Sequence, residues 1–132
     1  MDRLVLIVDD NRDTADSLVS MLNLLGYQTK VAYGPLVGIT KFTQRFPDVV
    51  LMDIHMQGMN GVELCRFIRR DPRTAHLPII LMSSDTQSAL IAEARAAGAN
   101  AFIPKPIDLE MLEKILHDVE QPAGGAATSR GP

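Results

Sequence analysis

Five short β-prone runs punctuate this chain, and the segments between them carry helical patterning. The first, Leu4-Val5-Leu6-Ile7-Val8, is apolar without interruption. A strand of that kind is buried on both faces, as in a parallel sheet covered by helices. Thr29 to Tyr33, Val49-Val50-Leu51-Met52, Pro78-Ile79-Ile80-Leu81-Met82 and Ala101-Phe102-Ile103 read as the second to fifth strands. Between the first two, Ala15, Leu18, Leu22 and Leu25 recur at helical spacing, and Gly26 stops that helix. A second helix is predicted from Leu36 to Phe46, weakened by Gly38 and closed before Pro47. A third runs from Val62 to Arg70, ended by Asp71-Pro72. Ser83-Ser84-Asp85 offer cap residues for a fourth reaching Ala97, and Asp108 caps a fifth reaching about Val119. Five strands alternating with five helices predict a doubly wound α/β sandwich.

The length of 132 residues suits one such domain, over residues 1–120. The stretch 121–132 is mostly Pro, Gly, Ala, Ser and Thr and reads as a flexible tail or a truncated linker. A net charge of -3 spread over scattered residues argues against direct nucleic-acid binding. Cys65 is the one cysteine, which excludes an internal disulfide and a thiolate metal cluster; its spacing from Val62 and Ile68 makes it core packing. The opening apolar run is too short for a membrane span and lacks signal-peptide flanks, so a cytoplasmic module is expected. Met21, Met52, Met82 and Met111 read as core or near-core fillers, and His76 and His117 as exposed. No G-x-x-x-x-G-K-[ST] nucleotide cradle occurs.

In open α/β sheets the ligand site lies beyond the carboxyl ends of the strands. Here those ends carry Asp9-Asp10, Asp53, Ser83 and Lys105-Pro106. Three unshielded carboxylates in one pocket would raise one another's pKa, and a hard divalent cation removes that repulsion. Oxygen-only ligands suit magnesium better than zinc. With the cation present, a carboxylate can attack phosphorus to give an acyl phosphate, while a lysine and a hydroxyl neutralise the phosphoryl oxygens. Each residue alone has a plain explanation: an acidic pair at a helix start, a surface lysine, a serine N-cap. Their convergence favours chemistry.

Across roughly residues 3 to 119 the chain resembles the response-regulator receiver family, the CheY-like modules of two-component signalling. The resemblance rests on Val8-Asp9-Asp10-Asn11, Leu51-Met52-Asp53-Ile54 and Met56-Gln57-Gly58-Met59-Asn60-Gly61. It continues through Leu81-Met82-Ser83-Ser84, Gly98-Ala99-Asn100-Ala101-Phe102 and Pro104-Lys105-Pro106. The fold it implies is the flavodoxin-like five-stranded parallel sheet of order 2-1-3-4-5. It implies that Asp53 accepts a phosphoryl group from a sensor histidine kinase or a histidine phosphotransfer protein. Magnesium would be held by Asp10, Asp53 and the backbone carbonyl of His55, with Asp9 acting through a water. Lys105 would pair with the phosphoryl oxygens, and Pro106 would follow a cis peptide. Ser83 and Phe102 would be the switch residues, acting on the surface of the fourth helix, fifth strand and fifth helix. The protein would catalyse only its own phosphorylation and dephosphorylation.

Two positions depart from the family pattern. Gln57 stands where proline is usual, which bears on the stiffness of the loop; His55 has a free side chain that would overhang the site and affect the lifetime of a phosphoaspartate. Other readings remain. An aspartate-nucleophile phosphatase also uses a carboxylate and magnesium, but would carry a second acid two places after its nucleophile, where His55 stands, and a cap domain. A flavin-binding module lacks support because no hydroxyl-rich loop follows the first strand. A protein-binding pseudo-receiver would have lost an acid or the lysine, and none is lost here.

Overall fold

A strand covered on both faces is apolar along its length, and all five residues of β1, Leu4–Val8, are apolar and buried. All residues of β3, Val49–Asp53, and β4, Ile79–Ser83, are buried too, and only the last of each, Asp53 and Ser83, is polar. The computed structural model of the chain describes residues 3–34 and 46–120. The remaining elements are β2, Gln28–Ala32, and β5, Ala101–Pro104, with helices α1, Arg12–Leu24, α2, Gly61–Arg70, α3, Ser88–Ala96, and α4, Leu109–Glu120. The strands form one parallel sheet in the order β2-β1-β3-β4-β5. This is the order that the family resemblance implies. Four helices lie among the described residues rather than five. The helix predicted from Leu36 to Phe46 lies outside the described residues up to residue 45, and Phe46, its last predicted residue, is exposed and outside any helix. Residues 121–132 also lie outside them.

Successive strand residues point to opposite faces, so each strand feeds two cores. Leu6, Val8, Val50, Met52, Ile79 and Leu81 pack against α2 and α3. Val5, Ile7, Val49, Leu51, Ile80, Met82 and Ile103 pack against α1 and α4. Cys65 is fully buried in the first of these, as its spacing predicts. Met52 and Met82 are core residues, Met21 is half-buried, and Met111 lies on the open side of α4 at 40% exposure. For Met111 the core assignment therefore fails: Leu112 and Leu116 form the packed stripe, and position 111 falls beside it.

The edges of two elements also differ from expectation. β2 begins at Gln28 and ends at Ala32, one residue earlier than predicted at each end. Helix α3 starts at Ser88 with Gln87 as N-cap and no side-chain cap bond. Ser83 and Asp85 do not cap it. Ser83 Oγ accepts the N–H of Asp85 at 2.9 Å, and Asp85 Oδ1 accepts the N–H of Gln87 at 3.1 Å. These local i to i+2 bonds hold the chain in turns and delay the helix. By contrast Asp108 does cap α4, accepting the Met111 N–H at 3.0 Å.

Candidate functional site

The carboxyl ends of β1, β3, β4 and β5 meet at one edge of the sheet, and the polar residues that end the apolar runs gather there. Asp9, just past β1, is fully buried; its N–H is tied to the Ala32 carbonyl at 3.0 Å. Asp53 closes β3 at 6% exposure. Both continue the strand parity that faces α1 and α4, as does Lys105 beyond β5. Lys105 Nζ lies 3.2 Å from Asp9 Oδ2 and 3.3 Å from Asp53 Oδ1, so one ammonium bridges two buried carboxylates. Asp9 Oδ1 also accepts the N–H of Asn11 at 2.9 Å. Asn11 in turn caps α1, accepting the Thr14 N–H at 3.0 Å. The acidic pair is thus anchored to the first turn of a helix.

Asp10 is exposed, and its Oδ2 accepts the main-chain N–H of Gln57 at 3.2 Å. The loop that supplies this donor leaves β3 at Asp53, turns at Gly58 with φ +93°, and returns to start α2 at Gly61. A Cβ at position 61 would collide with the Asp53 carbonyl oxygen, so only glycine lets α2 begin this close to the site. Glu63 and Asn60 complete a capping box at that helix start, with bonds of 3.0 and 2.9 Å.

Ligand oxygens of Asp9, Asp10 and Asp53 lie within 4.8 Å of one another. Burial pushes the Asp53 carboxyl above its ordinary value. The Lys105 ammonium opposes the rise, the Asp9 charge adds to it, and bonds from Lys105 and the His55 N–H draw it back. Three carboxylates against one ammonium leave two negative charges, the complement of a divalent cation. The donors are all oxygen, as a hard cation prefers. The residues therefore fit a metal ion.

Ser83 is fully buried at the end of β4, and the Lys105 N–H binds its carbonyl at 3.0 Å. Phe102 is set back from the edge, opposite Leu81 in the strand register and half-buried against the core shared with α2 and α3. It stands outside the charged cluster. The Lys105–Pro106 peptide is cis. The His55 side chain is exposed. Beside the cluster, a cavity of about 580 Å³ opens between Asp13, Thr14, Ser17 and Met21 of α1 and the Lys105-Pro106-Ile107 segment. Sequence reasoning missed the Gln57–Asp10 contact, because a main-chain donor leaves no mark in residue identity. It also missed the capping role of Asn11, which an Asn at the head of a helical pattern could have revealed.

No helix among the described residues is long and apolar enough to cross a membrane. Residues 5–117 match the family model of the response regulator receiver domain. The chain is 35% identical over 115 residues to Protein PilH of Pseudomonas aeruginosa, covering 87% of this chain and 95% of PilH. It is 30% identical to Response regulator PleD of Caulobacter vibrioides over 85% of this chain, but spans only 25% of PleD. Among solved structures it is similar to the chemotaxis protein CheY4 of Vibrio cholerae, with a TM-score of 0.85 and 27% identity over 90% of this chain and 99% of that one. With the sheet order, the acidic edge and these likenesses in agreement, the chain belongs to the response regulator receiver domain family, the receivers of two-component signal transduction.

Proposed function

We propose that Asp53 accepts a phosphoryl group from a phosphohistidine on a sensor histidine kinase or histidine phosphotransfer protein, and that magnesium assists. The observation that carries this reading is the Lys105 ammonium bridging Asp9 and Asp53, with Asp10 completing the acidic cluster. A carboxylate oxygen of Asp53 attacks phosphorus, the bond from phosphorus to the donor imidazole breaks, and the departing imidazole takes up a proton. Lys105 pairs with a phosphoryl oxygen. The cavity along α1 beside Lys105 gives a donor protein room to approach. Asp10, Asp53 and the His55 carbonyl would hold the magnesium ion, with Asp9 reaching it through a water. Bound there, the ion supplies positive charge against the carboxylates and the equatorial phosphoryl oxygens.

Ser83 would then read the new group. Its Oγ accepts the Asp85 N–H, and a hydroxyl that accepts one bond keeps a proton to donate. Its movement toward the phosphoryl oxygens would let Phe102 turn inward and shift the surface of α3, β5 and α4, which correspond to the fourth helix, fifth strand and fifth helix of the sequence reading. Phosphorylation biases a two-state equilibrium by adding contacts present in one state alone. The chain acts on itself and turns over no external substrate, in a cytoplasmic setting.

Incubation with acetyl phosphate in magnesium buffer tests this. Wild type gains the mass of one phosphoryl group, and a chelator or Asp53→Asn abolishes the gain. Continuous turnover of small phosphoesters without a stoichiometric adduct would mark a phosphatase instead.

A further inference from the structure

Asp10 is the one member of the acidic cluster that the fold leaves in solvent, whereas Asp9 and Asp53 are 0% and 6% exposed. Lys105 and the Asn11 N–H hold the Asp9 carboxylate; Lys105 and the His55 N–H hold that of Asp53. An exposed aspartate with nothing to fix it samples several rotamers, and ordering it when a ligand binds costs entropy. The Gln57 N–H supplies a fix, donating to Asp10 Oδ2 at 3.2 Å across 47 positions of sequence. That donor is aimed by the loop. The positive φ of Gly58 turns the chain immediately after it, and the Gly61 N–H closes the base of the loop on the Ile54 carbonyl at 2.8 Å.

We infer that the Gln57 main-chain N–H is a positioning group that holds the Asp10 carboxylate by Oδ2 and leaves Oδ1 directed to a divalent cation. The inference rests on the proposed reading of this cluster as a cation site. Ligating carboxylates are commonly held by an outer hydrogen bond, and loss of such a partner weakens metal binding about 10–100-fold. The Gln57 side chain takes no part. What matters at this position is whether the residue has an N–H, and among the twenty only proline lacks one. Of the two positions that depart from the family pattern, Gln57 is therefore one that adds a donor to the site.

Magnesium alone, titrated into the full chain without any phosphodonor and followed by backbone amide shifts, tests the inference. Gln57→Ala keeps the N–H and is expected to bind as wild type does. Gln57→Pro removes it and is expected to bind about 10-fold more weakly. A second measurement guards against a misfolded proline variant: in metal-free protein the Gln57 amide is expected to resist hydrogen exchange, and to lose that protection in Asp10→Ala. Equal or tighter magnesium binding by Gln57→Pro, equal weakening by Gln57→Ala, or a freely exchanging Gln57 amide in wild type would each overturn it. If wild type itself takes up no magnesium, the cation reading falls as well; if wild type binds and the two variants agree, this inference alone falls.

Discussion

The two edges of the sheet are both polar and yet unlike. At the carboxyl edge, one lysine serves two buried aspartates with a third nearby, and negative charge is left over. At the amino edge the charged side chains Arg3, Glu120, Asp48 and Arg69 each meet a matching partner. Arg3 pairs with Glu120 at 3.2 Å, Tyr27 donates to Glu120 at 2.9 Å, and Asp48 accepts the Leu4 N–H at 2.7 Å. There too, the Arg69 guanidinium donates to the carbonyls of Gly98, Thr74 and Leu77 and to Asn100 Oδ1, at 2.7 to 3.4 Å. A satisfied polar edge stabilises the fold; an unsatisfied one waits for a ligand. The difference can be measured as a response to ions and to pH.

The largest effect is expected from Lys105→Met. Removing the ammonium strands two buried carboxylates beside each other, at a cost of about 3 kcal/mol in chelator-treated protein near neutral pH, read by urea denaturation. The loss should shrink as pH falls. The Asp53 carboxyl is already held above its ordinary value, and without Lys105 it rises further, so protonation removes the stranded charge at milder acidity. Divalent cation should restore part of the stability. A variant as stable as wild type, or indifferent to both ions and pH, would erase the contrast between the edges.

Arg69→Met probes the other side. Its guanidinium ties the ends of α2 and α3 to the entry of β4, and a Cβ at Gly98 would run into its side chain at 2.9 Å. Several of the freed carbonyls regain water, so a loss of about 2 kcal/mol is expected. Chelator and magnesium should leave that loss unchanged, because no cation site is involved. Magnesium-dependent recovery would show that the two edges are coupled.

How far the sequence reaches follows the same division. The strand runs were legible because burial on both faces leaves no room for polar residues, and the acids and the lysine that end them were legible because they interrupt those runs. Asp9, Asp10, Asp53, Ser83 and Lys105 were all expected at one edge and lie there. What escaped are contacts made to the main chain. Arg69 looks like any surface arginine of a helix, since three of its partners are carbonyls that every residue carries. The Gln57 N–H is hidden for the same reason. The late start of α3 was misread because Ser83 and Asp85 have the right chemistry for a cap and spend it on amides two residues ahead. Met111 failed because a helical stripe is narrower than a list of apolar residues suggests.

Tyr27→Phe is the smallest change and the sharpest test of balance at the amino edge. Glu120 ends α4, where a carboxylate meets the negative end of the helix dipole. Arg3 and the Tyr27 hydroxyl offset that repulsion. Deleting the hydroxyl should cost about 1 kcal/mol at neutral pH, one hydrogen bond to a charged group partly repaid by Arg3 and solvent. The pH dependence is more telling than the size. Burial first, then the bond to Glu120 and its charge, push the Tyr27 phenol from 10.0 up to about 12. Between those values the folded chain keeps a proton that the unfolded chain gives up. Wild type should therefore hold this contribution in full below pH 10 and lose it as pH rises through 12. The phenylalanine variant has no such proton, so the stability difference should narrow above pH 10, reverse before pH 12 and level off beyond it. A gap that stays constant from pH 7 to the alkaline limit would mean that Tyr27 is packing alone, and that Glu120 relies on Arg3 for its balance.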